Sequence, residues 1–135
     1  MSSVFLEDDE LREIARQVIS VRPEVAHVEL DQVLFLRDVK GGPSGTMARC
    51  YSLSGHPVEY FTEHRFCIVA YEKNTFYLSA PQLALLIFHE LMHIPQRGDK
   101  LVDHGVKDFE KILGLGGVFW SAPGEDVPDI LGGIL

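Results

Sequence analysis

The amino-acid sequence predicts an α+β domain: a small, twisted, mostly antiparallel sheet with one buried helix and flanking helices. Short apolar segments rich in β-branched and aromatic residues, which are typical of strands, lie between residues 33 and 78. A longer segment that is apolar on every face follows them, and an amphipathic segment precedes them. With 135 residues, the chain is long enough for one domain with a substantial core.

An amphipathic helix is expected close to the N-terminus. Acidic residues from Glu7 to Glu10 would occupy its first turn, where negative charge stabilises a helix, and Pro23 lies beyond its end. Its apolar stripe has the period of about 3.6 residues that a helix requires. The stripe consists of Leu11, Ile14, Ala15, Val18 and Ile19.

Four segments have the composition of strands. They are residues 33–39, 47–53, 65–72 and 75–78. The last two are expected to pair with each other across Lys73-Asn74, because only these two residues separate them.

A buried helix is expected from Ser79 onward. Ser79 and Gln82 have the spacing of a capping box, and Pro81 lies in the first turn, where a missing N–H costs nothing. From residue 83 the segment is apolar on every face until Pro95 ends it, which indicates a helix in the middle of the domain.

A further helix is predicted from His104 to Leu113, ended by Gly114. Residues 1–120 are expected to form a single domain. Residues 121–135, which are rich in Gly and Pro, are expected to form a C-terminal tail.

The buried helix contains the sequence His89-Glu90-Leu91-Met92-His93, an H-E-x-x-H motif. Residues four apart lie on the same helical face, so both imidazoles can bind one cation, and Glu90 projects beside them without ligating it. Burying these ionisable groups unpaired would cost on the order of several kcal/mol, which a divalent cation offsets. The motif therefore predicts a metal centre with one zinc per chain, since zinc accepts neutral histidine nitrogens.

A catalytic zinc commonly has three protein ligands. His104 is the first candidate for the third ligand, because it follows a loop long enough to fold back on the motif. Asp108 lies one turn later on the same face. It could ligate the metal instead, or it could hydrogen-bond to a metal ligand and orient it. The spacing leaves this choice open.

Two stretches, FHELMHIP and LVDHGVKDFEKILGLGGVFW, resemble the phage-type metallopeptidase family. This family of small zincins has the pattern H-E-L-x-H-I followed by H-D-V-x-D-F, and it is distantly similar to SprT-like and gluzincin-like domains. The resemblance implies a zincin-like fold, zinc on His89 and His93, Glu90 as catalytic base and His104 as third ligand. Asp108 matches the second aspartate of the pattern. Gly105 departs from the pattern, because the family has aspartate there.

The expected function is zinc-dependent hydrolysis of a peptide bond, in which Glu90 takes a proton from water and passes it to the leaving amine. Residues 65–72 are expected beside the cleft, where an extended peptide could add to the sheet edge. Tyr71, Tyr60 and Arg49 are candidates for stabilising the oxyanion. Two alternatives stay open: a zinc-binding protein without proteolytic activity, and a zinc hydrolase of a non-peptide amide bond.

The expected partner is a peptide or protein substrate, and the composition argues against nucleic acid and a membrane. The 12 basic residues are scattered among 20 acidic ones, for a net charge of −8, which argues against nucleic acid. No apolar run approaches the roughly 18 residues of a membrane span. Cys50 and Cys67 lack metal-ligand spacing and are expected to be reduced thiols in a cytoplasmic protein.

Overall fold

The computed structural model describes residues 3–55, 60–103, 109–117 and 119–131. Three of its strands follow one another along the chain and three of its helices come after them, so the predicted α+β class is confirmed. The strands are β1 (Phe5–Glu7), β2 (Val33–Asp38), β3 (Ala48–Ser52) and β4 (Phe66–Tyr71). The helices are α1 (Asp9–Val21), α2 (Glu72–Thr75), α3 (Ala80–Met92) and α4 (Glu110–Gly116), with 3-10 turns at Pro23–Val25 and Leu30–Gln32.

The four strands form one mixed sheet in the order β1-β2-β4-β3. β1 pairs with β2 and β3 pairs with β4 in antiparallel fashion, whereas β2 and β4 are parallel. The sheet is therefore mostly antiparallel, as predicted. β2 and β4 are therefore the inner strands, each hydrogen-bonded on both sides, and β1 and β3 are the edge strands of the sheet.

The prediction of a strand at residues 75–78 is wrong. Residues Glu72–Thr75 form the short helix α2, because both edges of β4 are already occupied by β2 and β3. The Asn74 side chain donates to the carbonyl oxygen of Pro43 at 2.9 Å, which ties α2 to the preceding loop. β1 was not expected, since it is only three residues long and all three residues are exposed.

The N-terminal ends of α1 and α3 follow from their capping residues. Asp8 caps α1 and accepts a hydrogen bond from the backbone of Leu11, so the acidic first turn begins at Asp9. The capping box of α3 is confirmed, because Ser79 and Gln82 accept reciprocally from each other's backbone N–H. α3 ends at Met92, before Pro95.

Both long helices pack on the same face of the sheet, where the main core lies. α3 is surrounded on nearly every side, because it packs against α1, β3 and α4 at once. A smaller apolar cluster covers the opposite face of the sheet. Its buried members are Cys67, Val69 and Tyr71, and Leu34, Leu36 and Leu53 pack against them.

The segment after α4 returns to the N-terminal end of α3. The Gln82 side chain, which is buried, donates to the carbonyl oxygens of Trp120 at 3.0 Å and Ala122 at 2.7 Å. Trp120, Val127 and Ile130 are buried in the main core.

α4 ends at Gly116 and not at the predicted Gly114. Gly117 has a φ of 79°, the left-handed conformation that ends helices, and Gly114 has no such φ. A Cβ at Gly116 would lie 2.7 Å from the Cβ of Trp120, so this close packing requires glycine. The beginning of the predicted helix, residues 104–108, lies outside the described residues.

Within the described ranges, no helix has both the length and the apolar character needed to cross a membrane.

Asp38, at the end of β2, fastens the N-terminal strand. Its side chain is 1% exposed, and its Oδ1 accepts from the backbone N–H groups of Gly41 at 2.7 Å, Lys40 at 3.1 Å and Val4 at 3.3 Å. Burial alone would raise the pKa of Asp38, but these hydrogen bonds to the ionised form outweigh it and lower the pKa.

We expect Asp38→Asn to lower the free energy of unfolding at pH 7. A carboxyl whose pKa is lower in the folded state stabilises the fold above its unfolded pKa, about 3.9, and loses that contribution as the pH falls through the folded value. The stability difference between the variant and the parent should therefore shrink below about pH 4. Urea unfolding between pH 7 and pH 2 measures it, with exposed Asp31→Asn as the matched control. A difference that stays constant over this range would contradict the assignment.

Candidate metal centre

The last turn of α3 carries the histidines and glutamate of the motif. His89 and His93 lie one turn apart, and Glu90 turns toward the interior, where it is 4% exposed. The neighbouring residues Phe88 and Leu91 are fully buried and anchor this turn in the core. The helix can therefore hold the polar groups in fixed positions, since their backbone cannot shift without disturbing the packing.

The three side chains converge. The Nε2 atoms of His89 and His93 are 3.3 Å apart, and Oε2 of Glu90 lies 3.7 Å from Nε2 of His89. One ligand atom from each of the three lies within 4.8 Å of the others. Two nitrogen ligands of a tetrahedral cation, bound at about 2.0–2.1 Å, are separated by about 3.3–3.4 Å. The observed separation of the two imidazole nitrogens matches this value.

A backbone carbonyl determines which nitrogen of His93 is available for a metal. Nδ1 of His93 lies 2.6 Å from the carbonyl oxygen of Val102, which can only accept a hydrogen bond. Nδ1 is therefore the protonated nitrogen, and Nε2 keeps its lone pair for a cation. The backbone N–H of Val102 donates in return to the carbonyl oxygen of His93 at 2.7 Å, so the two residues are joined twice.

Phe109 forms an aromatic wall beside the two imidazoles. Its ring centroid lies 5.4 Å from that of His89 and 5.0 Å from that of His93, in edge-on geometry in both cases. The sequence interpretation gave Phe109 no role. The signal was present, because this residue is the phenylalanine that ends the D-F pattern. Val102 could not have been found in this way, since it acts through its backbone.

Cys50, on β3, faces α3 from the sheet and packs against the main core. Burial raises the pKa of its thiol, and the negative charge of Glu90 raises it further. The thiol is thus protonated at neutral pH and adds no charge beside the carboxylate. Burial also raises the pKa of Cys67 to about 11. Both cysteines are free, as expected, and they lie on opposite faces of the sheet.

His89, Glu90 and His93 are brought together, as the motif predicts. His104 and Asp108 lie outside the described residues, so the choice between them as third ligand stays a prediction.

Two of the three oxyanion candidates, Tyr71 and Arg49, lie on the face of the sheet that points away from Glu90. Tyr71 belongs to the apolar cluster on the face of the sheet opposite α3, where its hydroxyl lies 3.2 Å from that of Tyr51. Arg49 alternates with the core-facing Ala48 and Cys50, and therefore points to the same opposite face. Tyr60 is 82% exposed.

The strand beside the motif is β3 and not the predicted segment 65–72. That segment forms β4, whose backbone groups are already paired with β2 and β3, so it has no free edge. β3 pairs only with β4 in the sheet, and it packs against α3. The error arose because the strongest strand pattern belongs to the most buried strand, which is the central one.

Comparison with curated proteins and with solved structures found no match to this chain. A family model described as "Putative phage metallopeptidase" matches residues 3–131, a range that includes all four strands, the motif and α4. The match agrees with the metal-binding geometry at the end of α3, and the resemblance seen in the sequence is confirmed. The chain belongs to this phage metallopeptidase family.

Proposed function

We propose that this protein is a zinc-dependent peptidase that binds one zinc per chain through His89 and His93. The observation that carries the proposal is the 3.3 Å separation of their Nε2 atoms, together with the carbonyl of Val102 that keeps the proton of His93 on Nδ1. Two neutral imidazole nitrogens facing one point suit zinc, which prefers such ligands in tetrahedral geometry.

The third ligand in this proposal is His104, with Asp108 as the alternative. The support comes from the described residues on either side of them. Val102 is hydrogen-bonded to His93, and Phe109 packs against both imidazoles, so the chain passes the metal centre before and after these two residues. Either residue is therefore connected to the site by a short length of chain.

Glu90 is the proposed general base. When bound, a divalent cation supplies Lewis-acid chemistry, which polarises a carbonyl and lowers the pKa of water. Glu90 takes one proton as the water oxygen forms its bond to the carbonyl carbon, and it returns that proton to the amine nitrogen as the C–N bond breaks. Glu90 is only 4% exposed, and such burial limits the access of competing water to this transfer.

We propose that the substrate is a peptide or protein that binds in extended form along β3. This strand is at the edge of the sheet, packs against α3, and carries Cys50 toward Glu90. An added strand would obtain main-chain hydrogen bonds from β3 and pass close to the carboxylate. We further propose a cytoplasmic location, which is supported by the two free cysteines.

The purified protein is expected to contain about one zinc per chain, and the double variant His89→Ala, His93→Ala is expected to lose it. Its thermal unfolding midpoint should no longer respond to added zinc, because a cation that binds only the folded state stabilises it. Elemental analysis and calorimetry measure both effects. His64→Ala is the matched control, since this imidazole is hydrogen-bonded to Thr62 instead. Full zinc retention by the double variant would exclude the site.

Glu90→Gln should retain zinc and lose hydrolysis by a factor on the order of 10²–10⁴, because the amide preserves the shape but cannot accept the proton. A peptide library screened with the parent protein first provides a substrate. Turnover of that substrate at the parental rate by the variant would refute the proposed mechanism. Activity on small-molecule amides, with none on peptides, would instead identify the hydrolase of a non-peptide bond.

His104→Ala is expected to abolish tight zinc binding, whereas Asp108→Asn should weaken it by no more than about 10–100-fold, the typical effect of losing a residue that orients a ligand. Zinc titration against a competing chelator ranks the two variants. The reverse ranking would make Asp108 the third ligand. Loss of tight binding in both variants would indicate a closed four-ligand site, which favours a zinc-binding role without proteolysis.

A further inference from the structure

The chain that leaves α3 makes a closed loop and returns to the metal centre. It turns at Gly98, whose φ of 76° is readily adopted only by glycine, and comes back so that Val102 can form its two hydrogen bonds with His93. The position of the Val102 carbonyl, and therefore the proton on His93, depends on where the middle of this loop is held.

The middle of the loop is held by Arg65, the residue that precedes β4. Its guanidinium donates to the carbonyl oxygen of Gly98 at 3.3 Å and forms an ion pair with Asp99. The hydrogen bond from Arg65 is the main cause that lowers the pKa of Asp99, against the opposing effect of burial. Asp99 is therefore ionised over the whole neutral range.

Arg65 is itself fixed to the sheet. Its backbone N–H donates to Gln32 at 2.8 Å, and its carbonyl accepts from Leu53 at 2.9 Å. The guanidinium also lies over the ring of Phe66, with its Cζ atom 5.9 Å from the ring centroid, and this ring is buried in the core. Arg65 is thus held in place at the beginning of β4, and its side chain contacts the loop that follows α3.

We propose that Arg65 is a positioning residue for the metal centre: by holding Gly98 and Asp99, it sets the loop so that the Val102 carbonyl binds Nδ1 of His93. This inference rests on the proposed metal site, but its geometric part, the tautomer of His93, does not require a metal. Arg65 touches neither the imidazoles nor a substrate, and acts through the loop alone.

Removing the contacts of Arg65 should lower the affinity for zinc more than it lowers the free energy of unfolding. Arg65 and Asp99 have partly exposed side chains, and such pairs contribute little to global unfolding. The loop is a local unit, and its ordering is linked to one ion pair and one hydrogen bond to a carbonyl. Loss of both should weaken zinc binding by about three- to thirtyfold.

The test uses the full chain and the variant Arg65→Met, which keeps the stem over Phe66 and removes the donors. Zinc affinity is measured against a competing chelator, and the tautomer of His93 is measured by ¹⁵N NMR on the metal-free protein. We expect weaker zinc binding and a mixture of His93 tautomers in place of the Nδ1–H form. Arg16→Met is the matched control, because it removes an exposed ion pair of 2.6 Å with Glu13 that lies within α1.

Two further variants separate positioning from general stabilisation. Asp99→Asn alters only the loop side of the ion pair, and it should also weaken zinc binding and give a mixture of His93 tautomers. The proposal can therefore still be tested if Arg65→Met does not fold. Arg65→Lys keeps the charge and should restore part of the affinity. Unchanged affinity and an unchanged His93 tautomer in Arg65→Met and Asp99→Asn would overturn the proposal. If the parent protein binds no zinc, the proposed function fails, and the tautomer measurement still decides the role of Arg65.

Discussion

The reciprocal hydrogen bonds between His93 and Val102 are the interaction on which the metal centre depends. They join the last residue of the motif to the returning loop, fix the imidazole in one tautomer, and direct the chain past the site toward Phe109. A histidine on an exposed helix end would rotate freely between rotamers. Here a carbonyl at 2.6 Å holds it in a position where its Nε2 faces that of His89.

The burial of α3 imposes the second constraint. A helix that is apolar on nearly every face must be surrounded, and the surrounding elements are α1, α4 and the inner face of the sheet. This enclosure places Glu90 in a nearly dry environment, and its neighbours leave it little freedom to move. The same enclosure brings β3, an edge strand of the sheet, beside the helix that carries Glu90.

Polar side chains at the margins of the apolar core hold neighbouring segments together through hydrogen bonds. Gln82 joins the beginning of α3 to the segment after α4, Asp38 joins the residue before β1 to the end of β2, and Arg65 joins the loop after α3 to the beginning of β4. Each of these side chains donates to or accepts from backbone groups. Such contacts join segments far apart in sequence, although the free energy of one such bond is small.

The sequence by itself determined the helices with periodic apolar patterns and caps, three of the four strands, and the pairing of His89 with His93, because each depends on residues within one or two turns. It did not determine the order of the strands. Residues 75–78 had a strand composition, yet the edge of β4 that they would need is occupied by β2 and β3. The partners of His93 were also decided by tertiary structure alone. Val102 acts through its backbone and Arg65 through a loop, and neither contact has a residue pattern, since it arises only when distant segments are packed together.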